Sequence, residues 1–471
     1  MVPPSLSRAE AIPQPVSPPR MLAPIAALLQ RSGISPAMAK GAGWSIAGTG
    51  FGIAASFIAQ VILARSLAPT GYGVYSYVLA WVNVAVLVGK LEFDTAAIRF
   101  VAAYGGKGQN GLLHGFLRYG IRIVAATATG GTLIAGLSAW LLRSHLPSGT
   151  AQGLLAACVL VPLSALLLFS GSVLQGFRRV PQAQLPGQLL RPVLFGGGVL
   201  LAGSGLGFGL GANGAIAINA AATAVALGVS LLLLRSAIPA SVSAATPAFD
   251  RALWLRTVRG FMVISAAQLV LSQQADILVV GTLLSARDAG LYSAASQLST
   301  LIGVGATAIS FVVLPAVSEL HAQGKTAELQ RLVVRTVQAS AAVSVPATLL
   351  LAVGGRLALH SYGSGFVGAY PVLLVLSGVQ LVAATIGSLA GYLLTMTGHE
   401  GKAGRVVVST ALLNLALTML LTPLLGAVGA ALATMAAGLI RVGMFWSYAR
   451  RHVGVAVLPY LPADRHIATG P

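Results

Sequence analysis

The chain has 471 residues, of which 56% are hydrophobic and 8% charged, and its mean hydropathy is +0.85. Ordinary soluble domains carry about 25% charged residues, so this composition excludes both a soluble globular protein and a disordered one. Cys158 is the only cysteine, which excludes a disulfide scaffold. The net charge of +19 has to be placed relative to a membrane before it is read as affinity for nucleic acid.

Residues 1–20 hold Pro3, Pro4, Pro13, Pro15, Pro18 and Pro19 and no apolar run near Met1. They read as disordered and, with a candidate surface helix over 21–40, make up a cytoplasmic leader (1–40) that is not a cleaved signal peptide. A helix crossing hydrocarbon about 30 Å thick needs about 20 apolar residues. Twelve such stretches follow, near 44–64, 73–91, 117–142, 152–175, 189–206, 211–234, 260–284, 290–314, 332–354, 367–390, 406–424 and 427–447. They are continuously apolar rather than alternating, which argues against a barrel. The expected fold is an all-α polytopic membrane protein with twelve transmembrane helices. A segment with Pro239 and Pro247 divides it midway. The expected units are a leader (1–40), a six-helix lobe (41–235), a cytoplasmic linker (236–259), a second six-helix lobe (260–448) and a cytoplasmic tail (449–471).

With the N-terminus placed in the cytoplasm, only Arg65, Arg143, Arg287 and Arg356 of the 29 lysines and arginines fall on the opposite side. That asymmetry is the positive-inside pattern and puts both termini in the cytoplasm. It also accounts for the basic charge by anionic lipid, without nucleic acid. The segments on the opposite side are all short.

The two halves repeat. Leu67-Ala-Pro-Thr-Gly-Tyr-Gly73-Val-Tyr75-Ser76 matches Leu284-Ser-Ala-Arg-Asp-Ala-Gly290-Leu-Tyr292-Ser293 at Leu, Gly, Tyr and Ser. Two bundles of one orientation follow, of the kind transporters build from repeats. Polar stripes accompany the repeat: Ser45, Thr49, Ser56 and Gln60 on the first helix, and Ser265, Gln268, Ser272 and Asp276 on the seventh. Spacings of three and four place each set on one helix face. They either line a cavity or bond to their own helix and its neighbours. Asp276 is the one carboxylate well inside a span. An ionised Asp there costs about 2.5–3.5 kcal/mol, so such residues usually face water, a cation or a proton relay. Asp276, with Gln60 at the corresponding position, is the candidate for ion or proton coupling.

Ser76, Asn83 and Lys90 share a face of the second helix, and Lys90, Glu92, Asp94 and Arg99 cluster at its inner end. The cluster reads as interfacial ion pairs or as a cationic mouth. Arg191, before Pro192, either snorkels to the interface or binds phosphate. There is no GxxxxGK[ST], HExxH, CxxC or GxSxG, and none of the seven histidines forms an i, i+4 pair. No catalytic residue, metal ligand or cofactor is expected.

Ala64-Arg-Ser-Leu-Ala-Pro-Thr-Gly-Tyr-Gly-Val-Tyr-Ser76, Phe93-Asp-Thr-Ala-Ala-Ile-Arg-Phe100, Leu174-Gln-Gly-Phe-Arg-Arg179 and Leu190-Arg-Pro192 resemble segments of polysaccharide and oligosaccharide flippases. These form the Wzx-like branch of the multidrug/oligosaccharidyl-lipid/polysaccharide exporters, and the likeness runs over about 40–450. It implies two MATE-like lobes around a cavity that opens to each side in turn. The implied cargo is a polyprenyl-diphosphate-linked oligosaccharide crossing the inner membrane, and a polysaccharide polymerase or chain-length regulator is the implied protein partner. Arg99 first, then Lys90, Arg191 and Arg65, are the candidate diphosphate contacts. A drug or cation antiporter of the same superfamily and a membrane polysaccharide polymerase or ligase remain as alternatives.

Overall fold

The computed structural model describes residues 36–141, 150–203, 210–397 and 399–455, and all regular structure among them is helical. The leader before Pro36 and the tail after residue 455 lie outside the described residues, while Pro36–Lys40 is already helical. The first half comprises α1 (Pro36–Lys90), α2 (Phe93–Gly106), α3 (Asn110–Leu141), α4 (Thr150–Ala157) and α5 (Leu160–Gly176). There follow α6 (Val180–Gln184), a π-helical turn (Leu185–Leu190) running into α7 (Arg191–Gly203), and α8 (Ala212–Ala237). The second half comprises α10 (Arg251–Val270), α11 (Gln273–Leu283), α12 (Ala286–Ala322) and α13 (Thr326–His360), preceded by the short connector α9 (Ala240–Ser243). It ends with α14 (Tyr370–Val382), a π turn (Ala383–Gly387), α15 (Ser388–Met396) and α16 (Glu400–Val453).

Helix is what an apolar chain must form where no water can satisfy its backbone. Among the described residues, eight helices are long and apolar enough to cross a bilayer, or nine if α10 and α11 form one span. Ala286–Ala322, over the expected eighth span, is not among them. Leu350, Val353 and Leu357, on one face of α13, are 73%, 87% and 78% exposed. Such a stripe would drive aggregation in water and belongs against lipid. The chain is a multi-pass membrane protein.

Three breaks shape the bundle. Ala68 (φ 55, ψ 173) splits α1, and Pro69 opens its second part. Gly426 (φ 65, ψ −151) splits α16, at a backbone conformation that costs glycine least. The third corrects the expected continuous helix over 260–284. The chain bends by 54° between α10 and α11, so the Ser265–Asp276 stripe does not follow one straight face.

The connection between the halves is bound to the first one. The Ala248 amide donates to the Gly111 carbonyl at 2.9 Å, and His114 Nδ1 meets the Ala245 carbonyl at 2.7 Å. Trp254 is fully buried, edge-on to Phe116, and its Nε1 donates to the Tyr104 hydroxyl at 3.0 Å. The second half therefore starts from an anchor on the first.

Candidate functional site

The two repeat motifs meet each other. A Cβ on Gly73 would strike the Ala286 carbonyl, and one on Gly290 would strike the Pro69 carbonyl. Only glycine lets these helix starts approach so closely. The contact is extended by Tyr72 against Phe366 and by the Tyr77 hydroxyl on Thr282 Oγ1 at 3.0 Å. Arg65 Nε donates to the Ser361 carbonyl at 2.5 Å. Arg65, expected as a cargo contact, thus bonds to the other half.

In the first half, the π turn at 185–190 delivers Arg191 into the bundle. Its Nε and Nη2 donate to Asn219 Oδ1 at 3.3 and 3.1 Å. Asn219 Nδ2 in turn donates to the Tyr75 hydroxyl at 3.0 Å, and the Tyr75 ring stacks on Phe195. The guanidinium is half-buried, and no carboxylate lies within ion-pair distance among the described residues. A cation held by neutral groups keeps its charge available for an anion.

In the second half, Ser272 caps α11 and accepts from the Gln274 amide at 3.3 Å, which puts Asp276 in the first turn of that helix. The partial positive end of a helix favours a carboxylate there. Asp276 is 1% exposed, and its Oδ2 accepts from the Tyr292 hydroxyl at 2.7 Å and Thr434 Oγ1 at 2.9 Å. Among the described residues its Oδ1 has no hydrogen-bond partner, nor has Asn414 Oδ1. At the paired repeat position, Gln60 Oε1 accepts from the Tyr72 hydroxyl at 3.3 Å, whereas the counterpart of Tyr292 is Tyr75. No group of three or more His, Cys, Asp or Glu gathers among the described residues.

Lys90 is not free. Its Nζ lies 2.5 Å from Glu92 Oε1 and 2.8 Å from Asp94 Oδ2, and Thr95 Oγ1 donates to Glu92 Oε2 at 2.6 Å. One cation between two carboxylates leaves the cluster net negative. It bridges the two-residue break between α1 and α2, in which Leu91 and Glu92 both have positive φ (47 and 58). The ion-pair alternative is thus the geometry present, and Lys90 does not present an uncompensated charge. Arg99, by contrast, is exposed on α2 with no hydrogen bond or ion pair among the described residues.

Ser56, Asn83 and Gln268 are exposed, and Gln60, Ser265 and Ser272 half-buried; the Thr49 side chain lies outside the described ones. Exposed polar side chains on apolar helices belong on a wet face, because hydrocarbon offers them no partner. Asn219, Asn414, Thr434 and Arg441 were not singled out from sequence. Asparagines inside otherwise aliphatic runs, Ile-Asn219-Ala and Leu-Asn414-Leu, carry the signal that finds two of them.

This fold and chemistry can be set beside known proteins. The chain is 25% identical over 264 residues to the probable low-salt glycan biosynthesis flippase Agl15 of Haloferax volcanii. That match covers 56% of this chain and 54% of the relative, so the chain spans about half the length of the curated relative it matches. An inward-facing multidrug resistance MATE family transporter of the MOP superfamily superposes with TM-score 0.72 at 12% identity, covering 85% of this chain and 94% of that one. The lipid II flippase MurJ in an inward closed conformation gives TM-score 0.66 at 13% identity, covering 86% of each chain. At such identities the structures establish a shared fold. The family described as polysaccharide biosynthesis protein matches residues 38–321, more than half of the sequence, and the chain belongs to that family.

Proposed function

We propose that the protein is a transporter, not an enzyme, that moves a polyprenyl-diphosphate-linked oligosaccharide across the inner membrane by alternating access. The observation that carries this is Arg191, a half-buried guanidinium in an apolar bundle, held by Asn219 and opposed by no carboxylate among the described residues. A diphosphate cannot enter hydrocarbon unaided, because its desolvation is prohibitive. A fixed arginine on a wet face replaces the lost water, while the lipid tail stays in the bilayer. Arg99, exposed at the inner end and unpaired among the described residues, is the candidate first contact, and Arg65 a later one once it leaves Ser361.

Splitting α1 at Ala68 and α16 at Gly426, joining α10 to α11, and adding Ala286–Ala322 supports twelve spans in two lobes, 41–235 and 260–448. The lysine and arginine distribution supports cytoplasmic termini. Asp276 is the proposed coupling residue, with Oδ1 as the atom that takes up a cation or proton. The same carboxylate favours a second reading, a cation-coupled drug antiporter.

Reconstituted vesicles carrying a lipid-linked glycan in one leaflet decide between them. Wild-type protein should equilibrate the glycan between leaflets, and Arg191→Gln protein of equal abundance should do so at least tenfold more slowly. Wild-type export of cationic dyes without glycan movement would replace the first reading by the second.

A further inference from the structure

The second half contains a cavity of about 130 Å³ lined in part by Gln273, Gln380, Ala383, Asn414, Thr434 and Arg441. That is far more than the ~10–15 Å³ a single water requires. It lies where α14 passes into its π turn at Ala383, opposite the second part of α16. π turns among helices recur at functional sites, and the other one described here delivers Arg191. Thr434, Gly438 and Arg441 follow at intervals of four and three, so they share one face of α16. Gly438 brings no side chain to that face, which leaves the space open. Arg441 is half-buried, with no hydrogen bond or ion pair among the described residues. The Gln380 side chain likewise has none among them. Although Thr434 Oγ1 reaches Asp276, no ion pair joins Asp276 to Arg441. The cavity thus offers N–H donors of a guanidinium and an amide that no acceptor among the described residues takes.

We propose that this cavity is an oxyanion subsite in which Arg441 and Gln380 bind a phosphate or carboxylate group of the cargo. The proposal rests on the transporter reading above and gives it a second point of attachment. Arg191 holds the head group from one lobe and Arg441 from the other. A cargo gripped by both can follow the relative motion of the lobes. The phosphate source is the lipid diphosphate, and the carboxylate source is an acidic sugar.

The test is calorimetric binding to purified protein in lipid nanodiscs, in an Arg191→Gln background that removes the first site. Inorganic pyrophosphate and glucuronate are the two probes. Tighter binding of pyrophosphate assigns the subsite to the diphosphate, and tighter binding of glucuronate assigns it to an acidic sugar. A charge-assisted contact predicts that Arg441→Gln weakens the preferred probe by about tenfold or more, and that Arg441→Lys restores part of it. Gly438→Val fills the cavity and leaves the charge in place. A Cβ there meets nothing nearer than Val379 at 4.0 Å, so the variant should fold, and it should weaken binding as Arg441→Gln does. Unaltered affinity in both variants, at unaltered melting temperature, overturns the proposal, as does the absence of binding by the parent. Binding that depends on Arg441 in a protein that moves no lipid-linked glycan overturns the transporter reading and leaves the subsite standing.

Discussion

Replacing Lys90 by methionine separates a structural cation from a cargo-binding one. Lys90 is 13% exposed at its side chain, and its two partners, Glu92 and Asp94, are 3% and 12% exposed. Methionine keeps the volume and leaves two buried carboxylates without their cation. Breaking a buried pair from one side costs about 3–5 kcal/mol. In a folding unit of roughly 200 residues each kcal/mol lowers the midpoint by about 2–4 °C, so a fall of about 6–20 °C is expected. Thermal unfolding of detergent-solubilised protein, followed by size-exclusion chromatography, measures it. Adding Glu92→Gln and Asp94→Asn to Lys90→Met removes the stranded charge and should restore most of the loss. Transport per folded molecule should change little. A Lys90→Met protein that melts like wild type yet no longer transports would refute the reasoning and make Lys90 a head-group contact.

Asp276→Asn keeps the volume and removes the charge; leaflet exchange should continue but lose its dependence on an imposed cation or proton gradient, read in vesicles with and without the gradient. Gly73→Val or Gly290→Val forces the two repeat motifs apart, and a thiol reagent should then label an engineered cysteine at Ser293, a position 3% exposed in the wild-type packing. Trp254→Ala empties a fully buried aromatic site and orphans the Tyr104 hydroxyl; a loss of about 3–5 kcal/mol should appear as a lower melting temperature. Trp254→Phe removes chiefly the hydrogen bond and should cost about 1 kcal/mol.

The repeat was legible because its cause is local. Two backbones that touch require glycine at both contact points, and Gly73 and Gly290 stand out in otherwise divergent halves. Apolar runs were equally legible, since hydrocarbon leaves a chain few options. The break at Leu271–Ser272 was not. A three-and-four polar spacing fits a straight helix and a bent one alike, and only the capping pattern of Ser272 with Asp276 behind it hints at a new start. Lys90 was ambiguous because charges two and four residues apart read equally as an ion-pair cluster and as a mouth. Arg441 was hidden by its position. Counted from the sequence it joins the basic residues at a helix end, where arginine reports orientation. Its placement beside Gly438 and Gln380 depends on how α14 and α16 pack, which no local pattern encodes.

The repeat also explains how one scaffold comes to hold opposite charges. Tyr75 and Tyr292 occupy the same place in the two motifs, and both hydroxyls are buried inside their own half. Tyr75 meets Asn219, which is loaded by Arg191. Tyr292 meets Asp276, which is further held by Thr434. The shared tyrosine provides a hydroxyl that both accepts and donates, so it can serve an amide beside a cation in one half and a carboxylate in the other. A duplicated bundle with identical polar groups would bind the same species twice. Divergence at Tyr75's and Tyr292's partners instead places a guanidinium beside one tyrosine and a carboxylate beside the other, which under the proposed function are a site for an anion and a site for a cation or proton. In the proposed cycle the two are coupled through the close approach of Gly73 and Gly290, because a change in the angle between the halves repacks that contact and the Arg65–Ser361 and Tyr77–Thr282 bonds beside it.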